Sequence, residues 1–530
     1  MTGPLDLLER EWASACQVLF GRSVGGLLPY KPWLCELSNP VFTRPSMDGG
    51  PAVTLAIRNY PPNAQFLPLA QIDFSRREAP IGLNQIKDLD SLAQALRERA
   101  VYCGEVVLGS SQEVQGSCNV SDSYYVLESS KIDASKCAAY CTDVRLSERL
   151  FGCMMLGAGN ECLVRCEQMR QTRRSFEAHN SNTCSDCHYV ASCEGCQECL
   201  FCFNLHAKSY CIGNQKLERS QYLKTKAHLK EQMADELEAQ KRLPSLFELV
   251  GKCAGAPPSI SADERRSASP PGQSMAGVEE AFARTSQLVL GKPLRGLDHY
   301  AQWLERDTYA VRATPSAVSK KPVLRNSYPP QAAMPANRLV RLDESAALGE
   351  LAGIGEEAAR SFDFSKAVSI MGPVAYMCPE KREGQCLNSI DCPINIDSGD
   401  CYRCSNSVED QRCAYSFWPR NSDSVFGCQI VLQSASCLKC YNSVKLQRCF
   451  ECDSSFSSSD CLFCHNIENC SECMFCFNVK AKRYAIGNVE YPKEEFLRVK
   501  KMVLAEVSAR LEKDKNLGLS IYSIGSRGKK

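Results

Sequence analysis

The chain has 530 residues, of which 44% are hydrophobic and 23% are charged, and its formal net charge at neutral pH is +1. This length exceeds what one hydrophobic core usually supports, so we expect two or more domains. The near-zero net charge excludes binding to nucleic acid or anionic membrane through overall charge alone.

The first twenty residues lack the basic head, apolar run and small-residue cleavage site of a signal peptide. No stretch reaches the roughly 18 apolar residues of a membrane span. We therefore expect a cytoplasmic protein that does not enter a membrane. A reducing compartment favours free thiols or thiolate ligands over disulfides for the 33 cysteines, and with only 6 histidines any metal site would be nearly all cysteine.

Several motifs occur twice along the chain. The stretch CLFCFN at Cys199–Asn204 returns as CMFCFN at Cys473–Asn478. We call the separation that relates Cys202 to Cys476 the repeat offset. The spacing of a tyrosine, a tryptophan and a leucine in 30–34 returns in 300–304, at a slightly smaller separation. Repeats of this kind predict a tandem duplication, with small insertions that shift the offset.

Each predicted copy has three parts in chain order: a mixed α/β part, a cysteine-rich part and a C-terminal amphipathic helix. Sixteen cysteines fall in each copy, and Cys253 lies between them. The Gly, Ala, Pro and Ser content of the connection predicts a flexible linker, and the basic C-terminus predicts a disordered tail. The predicted boundaries are 1–102 (mixed part of copy 1), 103–250 (cysteine-rich part and helix), 251–275 (linker), 276–377 (mixed part of copy 2), 378–515 (cysteine-rich part and helix) and 516–530 (tail).

The C-terminal helix of each copy is predicted from an apolar stripe at helical spacing. In copy 2, Pro492 suits the start of a helix, and glutamates follow in the first turn. Both helices are amphipathic, so the apolar face of each should pack against another surface. The stripes are Tyr222, Leu229, Met233 and Leu237 in copy 1, and Phe496, Val499, Val503, Val507 and Leu511 in copy 2.

The cysteine-rich parts lack helical periodicity and alternate short apolar pairs with small polar residues. Cysteines recur there at multiples of three, as in the run Cys193, Cys196, Cys199 and Cys202. Short strands broken by small polar turns favour a β-solenoid, and three hexapeptides would give a coil of roughly 18 residues. The predicted fold class is therefore α+β with a solenoid-like cysteine-rich part; a string of zinc knuckles is the alternative.

The cysteine spacing also predicts metal binding. A C-x-x-C pair can present two sulfurs to one metal ion, and tetrahedral zinc then needs two such pairs. In each copy one pair is followed directly by a histidine, and we take these histidines to correspond. We therefore predict structural Zn²⁺ held by ligands from Cys184, Cys187, His188, Cys193, Cys196, Cys199 and Cys202 in copy 1, and from Cys401, Cys404, Cys437, Cys440, Cys449, Cys452, Cys461, Cys464, His465, Cys470, Cys473 and Cys476 in copy 2.

Three alternatives to zinc remain open at this point. The thiols can be small buried hydrophobes that stack inside a narrow solenoid. The 3-3-3 run is similar to a ferredoxin pattern and so allows an iron–sulfur cluster, although the Cys-Pro that follows in ferredoxins is missing. Disulfides are the third alternative.

A cluster of basic and aromatic residues ends the second copy. Such clusters can bind RNA when they accompany zinc knuckles, but they are also the solvated faces of ordinary helices. The chain contains no phosphate-binding glycine loop, His-Glu-x-x-His motif or nucleophile elbow, so we do not expect an enzyme. The cluster consists of Lys480, Lys482, Arg483, Lys493, Arg498, Lys500 and Lys501, with Phe475, Phe477, Tyr484 and Tyr491.

Each cysteine tract ends in Cys-x-Phe-Cys-Phe-Asn and then Lys-x-Tyr-x-Ile-Gly-Asn. We compare these stretches with a motif of the form Cys-Phe-x-Cys, then Lys-x-Tyr-x-Ile-x-Asn, then Tyr-x-Lys-Glu-Glu-Tyr. Copy 2 matches it through Lys482, Tyr484 and Tyr491–Phe496, whereas copy 1 departs from it at Leu217–Tyr222. In this motif the chain resembles cysteine-rich proteins of bacteriophages and candidate-phylum bacteria, over about half its length. The resemblance implies no activity, but it adds a virion as a second expected location.

These observations together favour a non-catalytic structural or assembly protein. We expect a zinc-stabilised, duplicated scaffold that docks on other proteins of a larger assembly. A zinc-dependent RNA- or DNA-binding protein is the alternative, and an iron–sulfur or thiol redox protein is the second alternative.

Overall fold

A computed structural model describes residues 4–38, 40–82, 86–261 and 273–525. Helices and strands are both abundant in these ranges, which confirms an α+β fold. Among the helices of these ranges, none combines the length and the apolar composition that crossing a bilayer requires.

Several α-helices begin at a side-chain N-cap and bury one face. Helix α3 starts at a capping box formed by Asp88 and Ser91, and α12 ends at Lys515 in the left-handed conformation. The predicted apolar stripes of α4 and α12 are buried, which confirms them. In the described ranges the helices are α1 (Pro4–Phe20), α2 (Lys31–Ser38), α3 (Leu89–Leu96), α4 (Arg219–Gln240), α5 (Leu246–Lys252), α6 (Ala276–Leu290), α7 (Ala301–Glu305), α8 (Pro329–Ala333), α9 (Leu342–Leu351), α10 (Glu356–Arg360), α11 (Ala367–Ile370) and α12 (Lys493–Asp514).

The strands are short, and most of them belong to two long parallel ladders, β5–β18 and β22–β33. In the described ranges the strands are β1 (Phe42–Arg44), β2 (Val53–Leu55), β3 (Gln65–Pro68), β4 (Val101–Gly104), β5 (Val107–Leu108), β6 (Gln112–Gln115), β7 (Cys118–Ser121), β8 (Tyr124–Leu127), β9 (Ser130–Asp133), β10 (Lys136–Ala139), β11 (Thr142–Arg145), β12 (Glu148–Phe151), β13 (Met154–Leu156), β14 (Glu161–Val164), β15 (Arg173–His179), β16 (His188–Ala191), β17 (Gln197–Leu200), β18 (Ser209–Ile212), β19 (Gln215–Lys216), β20 (Val311–Pro315), β21 (Pro322–Asn326), β22 (Lys381–Glu383), β23 (Ile394–Ile396), β24 (Ser407–Val408), β25 (Asp423–Phe426), β26 (Gln429–Leu432), β27 (Ala435–Leu438), β28 (Tyr441–Val444), β29 (Phe450–Asp453), β30 (Leu462–Glu468), β31 (Ser471–Met474), β32 (Phe477–Lys480), β33 (Arg483–Ile486) and β34 (Val489–Glu490).

Along most of both ladders the register is twelve residues, and at a few pairings, such as Glu148 with Glu161, it is thirteen. Lys136 pairs with Tyr124 on one side and with Glu148 on the other, and in the second ladder Cys452 pairs with Cys464. The chain therefore completes one circuit in twelve residues, which differs from the expected coil of roughly 18 residues. The expected coil was built from hexapeptides, whereas each straight side of a circuit, from one corner to the next, contains three residues.

The chain forms two compact units, each built from separate parts of the sequence. These units differ from the predicted contiguous copies. In each copy, the segment between the N-terminal helices and the cysteine-rich part packs in the unit that contains the cysteine-rich part of the other copy. Unit 1 consists of Met1–Phe42, Val107–Ser269 and Arg312–Lys381, and unit 2 consists of Thr43–Val106, Pro270–Val311 and Arg382–Lys530.

In each unit an N-terminal helix packs across one outer face of the ladder. In unit 1, α1 contacts β8, β10, β12 and β15 and buries Trp12 and Leu19. In unit 2, α6 contacts β25 and β27 and buries Phe282. A second apolar cluster in each unit lies inside the circuits, so the ladders bury side chains on both faces.

The predicted linker and tail differ from the structure where it describes them. Cys253 and Ile260, which fall in the predicted linker, are buried, and the linker residues 262–272 lie outside the described ranges. In the predicted disordered tail, Leu517 and Ile521 are fully buried in the core of unit 2, and only 526–530 lie outside the described ranges. Apolar residues in these stretches outweigh the Gly, Ser and Lys content that favours disorder.

Candidate functional site

The corners of the circuits explain the spacing of the cysteines. In the ladders every third residue has a left-handed backbone; Asp186, Tyr189 and Ser192 have φ of 58°, 55° and 55°. Non-glycine residues rarely adopt positive φ, and hydrogen bonding between circuits offsets the strain: the amides of Asp186 and Ser192 donate to carbonyls thirteen residues earlier, over 3.2 and 3.0 Å. Cys187 and Cys193 each follow such a corner. The C-x-x-C spacing is therefore one side of a circuit.

The structure brings the predicted cysteine ligands of each copy together in the interior of the circuits. None of them exposes more than 2% of its surface. Those of copy 1 pack with Val190 and Leu205, and those of copy 2 pack with Val425 and Ile467. Thiols and apolar side chains therefore pack against each other in the interior.

Cysteines twelve residues apart stack into columns along each ladder. In the longest column each thiol donates to the carbonyl two residues before it, over 3.4–3.6 Å. The amide of Cys440 in turn donates to Sγ of Cys428 over 3.3 Å. Ser416 occupies the next place in this column, and its Oγ makes the same two bonds, to the carbonyl of Ala414 and from the amide of Cys428, over 3.1 Å each. The thiols thus act as hydrogen-bonding groups in the manner of serine. The column consists of Cys428, Cys440, Cys452, Cys464 and Cys476.

The interior thiols differ in the direction of their pKa shifts: hydrogen bonds with neighbouring thiols lower the pKa of Cys187 to about 5 and, against burial, that of Cys449 to about 6. Burial raises the pKa of Cys464 to about 11 and the pKa of Cys476 well above its ordinary value. Zinc and iron–sulfur clusters bind the thiolate. Over the residues that the structure describes, no group of three or more Cys, His, Asp or Glu side chains is arranged to hold a metal ion. Structural zinc stays a prediction that metal analysis must test.

We expect Cys464→Ser to lower the free energy of unfolding by less than about 1.5 kcal/mol, because a serine hydroxyl can make the bonds of the thiol. Ser416 shows that this column accepts serine. Urea unfolding with metal analysis of both proteins is the measurement. If Cys464 binds zinc instead, the substitution should remove metal and cost several kcal/mol.

The two predicted histidine ligands have partners outside the thiol columns. The imidazole of His188 donates through Nε2 to the carbonyl of Leu19 over 2.8 Å, and burial lowers its pKa well below the ordinary value, so it is neutral. In His465, Nδ1 lies 2.9 Å from Asp453 Oδ2, and Nε2 accepts the amide of Cys103 over 2.9 Å. Both histidines therefore serve contacts on the outer side of the ladder.

The histidines also do not occupy equivalent places. The repeat offset places Leu462 opposite His188 and Ala191 opposite His465. The expected correspondence used a separation three residues longer, which moves a residue by one side of a circuit. Cysteines on neighbouring sides look alike in the sequence, and this caused the error.

Buried charges form a network in unit 1 that sequence analysis missed. Arg165 donates through Nε to Oε1 of Glu177 over 2.6 Å and through Nη1 to the carbonyl of Trp33. Oε2 of Glu177 accepts the amide of Leu246 over 2.8 Å and lies 3.1 Å from Nε2 of His179. The network ties α2 and the start of α5 to the outer face of the ladder.

The charges of this network are set by burial and by each other. Burial alone raises the pKa of Glu177, but Arg165 and His179 outweigh it and hold the pKa below the ordinary value. Burial alone lowers the pKa of His179, but its contacts with Glu167 and Glu177 raise it to about 9. Arg165 and His179 are thus paired with Glu177 and Glu167 in a buried site, and Nη1 of Arg165 also lies 3.2 Å from Oε2 of the half-buried Glu36.

Unit 2 has Lys439 and Glu451 at the related positions, but each pairs elsewhere: Lys439 Nζ lies 3.2 Å from Asp307, and Glu451 lies 3.8 Å from Arg306. Lys439 Nζ donates to the carbonyl of Trp303 over 2.7 Å, and Oε2 of Glu451 accepts the amide of Ile521 over 2.9 Å. The sequence contained a signal for these buried charges. In each copy a cation precedes a glutamate by twelve residues, and the repeat offset relates the two sets of positions. Charged residues in apolar strands are easily taken for exposed ones, because they are rarely buried.

The basic and aromatic cluster is partly neutralised by glutamates. Lys480 lies 2.6 Å from Glu468, and Lys500 lies 2.5 Å from Glu472. Two of its aromatic residues, Phe475 and Phe477, are buried in the core of unit 2. These contacts leave fewer groups to bind phosphates and bases.

Comparison with known proteins identifies no family for this chain. No protein-family model and no curated protein matches the chain. A solved structure described as "putative acetyltransferase from Desulfovibrio desulfuricans G20" aligns with 89% of this chain and 74% of its own, at 10% identity and a TM-score of 0.16. A similarity this low carries no argument about fold or activity.

Proposed function

We propose that this protein is a non-catalytic structural protein built from two β-solenoids that arose by tandem duplication. The twelve-residue register and the left-handed corners support a solenoid, and the recurring motifs, with a buried cation and a glutamate at related positions, support a duplication. Solenoids of stacked circuits are rigid and offer extended surfaces to partners. A scaffold in a larger protein assembly is the role that suits such a molecule.

One observation carries this proposal. The thiols from Cys184 to Cys202 and from Cys437 to Cys476 each hydrogen-bond the carbonyl two residues earlier. Reactive cysteines are instead partly exposed to solvent, whereas these thiols are buried. These thiols therefore support the backbone rather than a reaction.

A matching pair of exposed leucines supports docking on a repetitive partner. Leu223 on α4 and Leu497 on α12 are related by the repeat offset and expose 44% and 43% of their surface. Each lies on a helix whose opposite face is buried against its own unit. Two equivalent apolar points on one chain suit a partner that itself repeats.

Thiol titration tests the structural role of the cysteines. In native protein at neutral pH we expect an aromatic disulfide reagent to react within minutes with few thiols, foremost Cys35 and Cys386, which are half-buried. All 33 cysteines should react after unfolding. Rapid native reaction of several interior thiols would contradict the proposal and favour a redox protein.

Metal content and salt-dependent binding separate the remaining alternatives. Two or more zinc ions per chain, lost with unfolding on chelation, would support a zinc-stabilised scaffold. Binding of single-stranded RNA or duplex DNA that weakens about tenfold or more between 50 and 200 mM salt would support the nucleic-acid alternative. Iron in the purified protein would favour the iron–sulfur alternative.

A further inference from the structure

We infer that the two halves of this chain are a reciprocally exchanged dimer joined by a linker, in which each half carries the docking surface for a segment of the other. The N-half is residues 4–261, and the C-half is residues 273–525. The N-segment, Thr43–Val106, packs in unit 2 with the ladder of the C-half, and the C-segment, Arg312–Lys381, packs in unit 1 with the ladder of the N-half. This inference does not rest on the proposed function.

The N-segment is bound to the C-half through its backbone. Its strand β4 contacts β30 and β32. The amide of Cys103 donates to Nε2 of His465 over 2.9 Å, and Nδ2 of Asn478 donates to the carbonyl of Val101 over 2.8 Å. Backbone bonds of this kind fix the position of the segment on the ladder.

Side chains add an aromatic cluster and an ion pair to this surface. The rings of Tyr60 and Tyr102 lie 6.4 and 5.2 Å from the ring of His465. The hydroxyl of Tyr60 donates to Asp453 Oδ2 over 3.1 Å. Farther along, α12 joins α3 through Arg510 and Asp90, 2.7 Å apart. The contacts of Tyr60 and His465 in this set are buried, and buried polar contacts specify one arrangement.

The C-segment is bound to the N-half in the same manner. Nδ2 of Asn204 donates to the carbonyl of Tyr376 over 2.8 Å, and Nδ2 of Asn180 donates to the carbonyl of Cys378 over 2.8 Å. The ring of Phe362 stacks on Phe201 at 4.6 Å. This segment thus also joins the ladder through backbone carbonyls and one aromatic stack.

The two docking surfaces are counterparts. Asn204 and Asn478 close the repeated Cys-Phe-Asn motif and are related by the repeat offset. The carbonyls that they bind, of Val101 and Tyr376, are separated by one residue more than that offset. Each half therefore uses the same asparagine to bind the same position of the other half. Two separate polypeptides, each equivalent to one half of the chain, could make both contacts. The partner that fits each docking surface is therefore a second copy of such a half.

Both segments also contribute apolar side chains to the core of the unit that receives them. The buried cores of the units contain Val53, Leu55, Phe66 and Leu92 of the N-segment beside Phe477, Ile486 and Phe496, and Val323, Leu339, Phe364 and Met371 of the C-segment beside Phe201, Ile212 and Tyr222. Burial of this many large side chains should hold the halves together without a covalent link.

Cleavage of the full chain between the halves tests the inference. A protease site is placed within 262–272, and the folded protein is cut and examined by size exclusion with light scattering at micromolar concentration. We expect the cut protein to keep the mass of the intact chain, 58.7 kDa. Separation of the halves under native conditions would overturn the inference, and twice that mass would overturn pairing within one chain.

A photo-crosslinker then shows which surface holds the halves. Tyr491→p-benzoylphenylalanine, whose parent hydroxyl accepts the amide of Ile81 over 2.8 Å, should join the two fragments of the cut protein on irradiation. The control is Tyr402→p-benzoylphenylalanine, because Tyr402 is also half-buried but packs on Tyr415 and Asp298 of its own half. Equal joining by both variants, or none by the first, would contradict the exchange.

Discussion

Arg165→Met is expected to lower the free energy of unfolding by about 3–5 kcal/mol, because it removes one member of a buried ion network. Arg165 exposes 1% of its side chain, and Glu177 exposes none. Without Arg165, the carboxylates of Glu167 and Glu177 share the single cation of His179, and one buried negative charge is left uncompensated. The carbonyl of Trp33 also loses its donor.

The chain contains a matched control for this variant. Arg174 and Asp186 form an ion pair at 2.6 Å, also twelve residues apart on the same ladder, but 45% of the arginine side chain is exposed. Arg174→Met should therefore change the free energy of unfolding by about 1 kcal/mol or less. Urea unfolding followed by circular dichroism gives both values. Similar losses for the two variants would show that the Arg165 network is not sealed from water.

Replacing Asp410 with serine is expected to remove a strong dependence of stability on pH. Asp410 points into the interior of unit 2, where Oδ1 accepts the amide of Ser422 and Oδ2 accepts the amide of Val408, over 2.9 Å each. Burial raises its pKa to about 8 and outweighs these two bonds. The carboxyl group is therefore protonated in the folded protein near neutral pH.

The sign of the pH effect follows from the raised pKa. The unfolded chain titrates Asp410 near pH 3.9, so its contribution to stability is fully present below that pH and is lost as the pH rises through about 8. Between pH 5 and pH 8 the loss is roughly 4 kcal/mol, at 1.36 kcal/mol for each pH unit.

Serine is the suitable replacement because Ser398 and Ser422 occupy the places one circuit before and after Asp410. The difference in unfolding free energy between Asp410→Ser and the parent protein should shift in favour of the variant by that roughly 4 kcal/mol from pH 5 to pH 8. Urea unfolding at four pH values within this range is the measurement. Parallel stability curves for the two proteins would mean that Asp410 titrates normally.

Local sequence spacing predicted much of the fold. Thiols stacked inside a narrow solenoid were one sequence-based alternative to zinc, and all the predicted cysteine ligands are buried. The apolar stripes of α4 and α12 were visible because helix periodicity is local. The length of the circuit was not predictable in this way, since a spacing of three fits any circuit whose length is a multiple of three.

The roles of the polar residues depended on contacts between distant parts of the chain. Nothing local shows that His465 binds the amide of Cys103, or that Glu177 binds the amide of Leu246. The same chemistry that makes histidine a zinc ligand makes it a good partner for a buried amide or carbonyl. Only the surroundings distinguish these uses.

Short stretches of sequence thus determine the recurring motifs, the position of each corner and the inward direction of the thiols, because neighbouring residues decide the backbone conformation there. The exchange of Thr43–Val106 and Arg312–Lys381 is decided at long range. Because Asn204 and Asn478 belong to nearly identical motifs, the sequence alone does not show which of the two segments each docking surface binds. The choice between them depends on contacts that exist only when both halves are folded together.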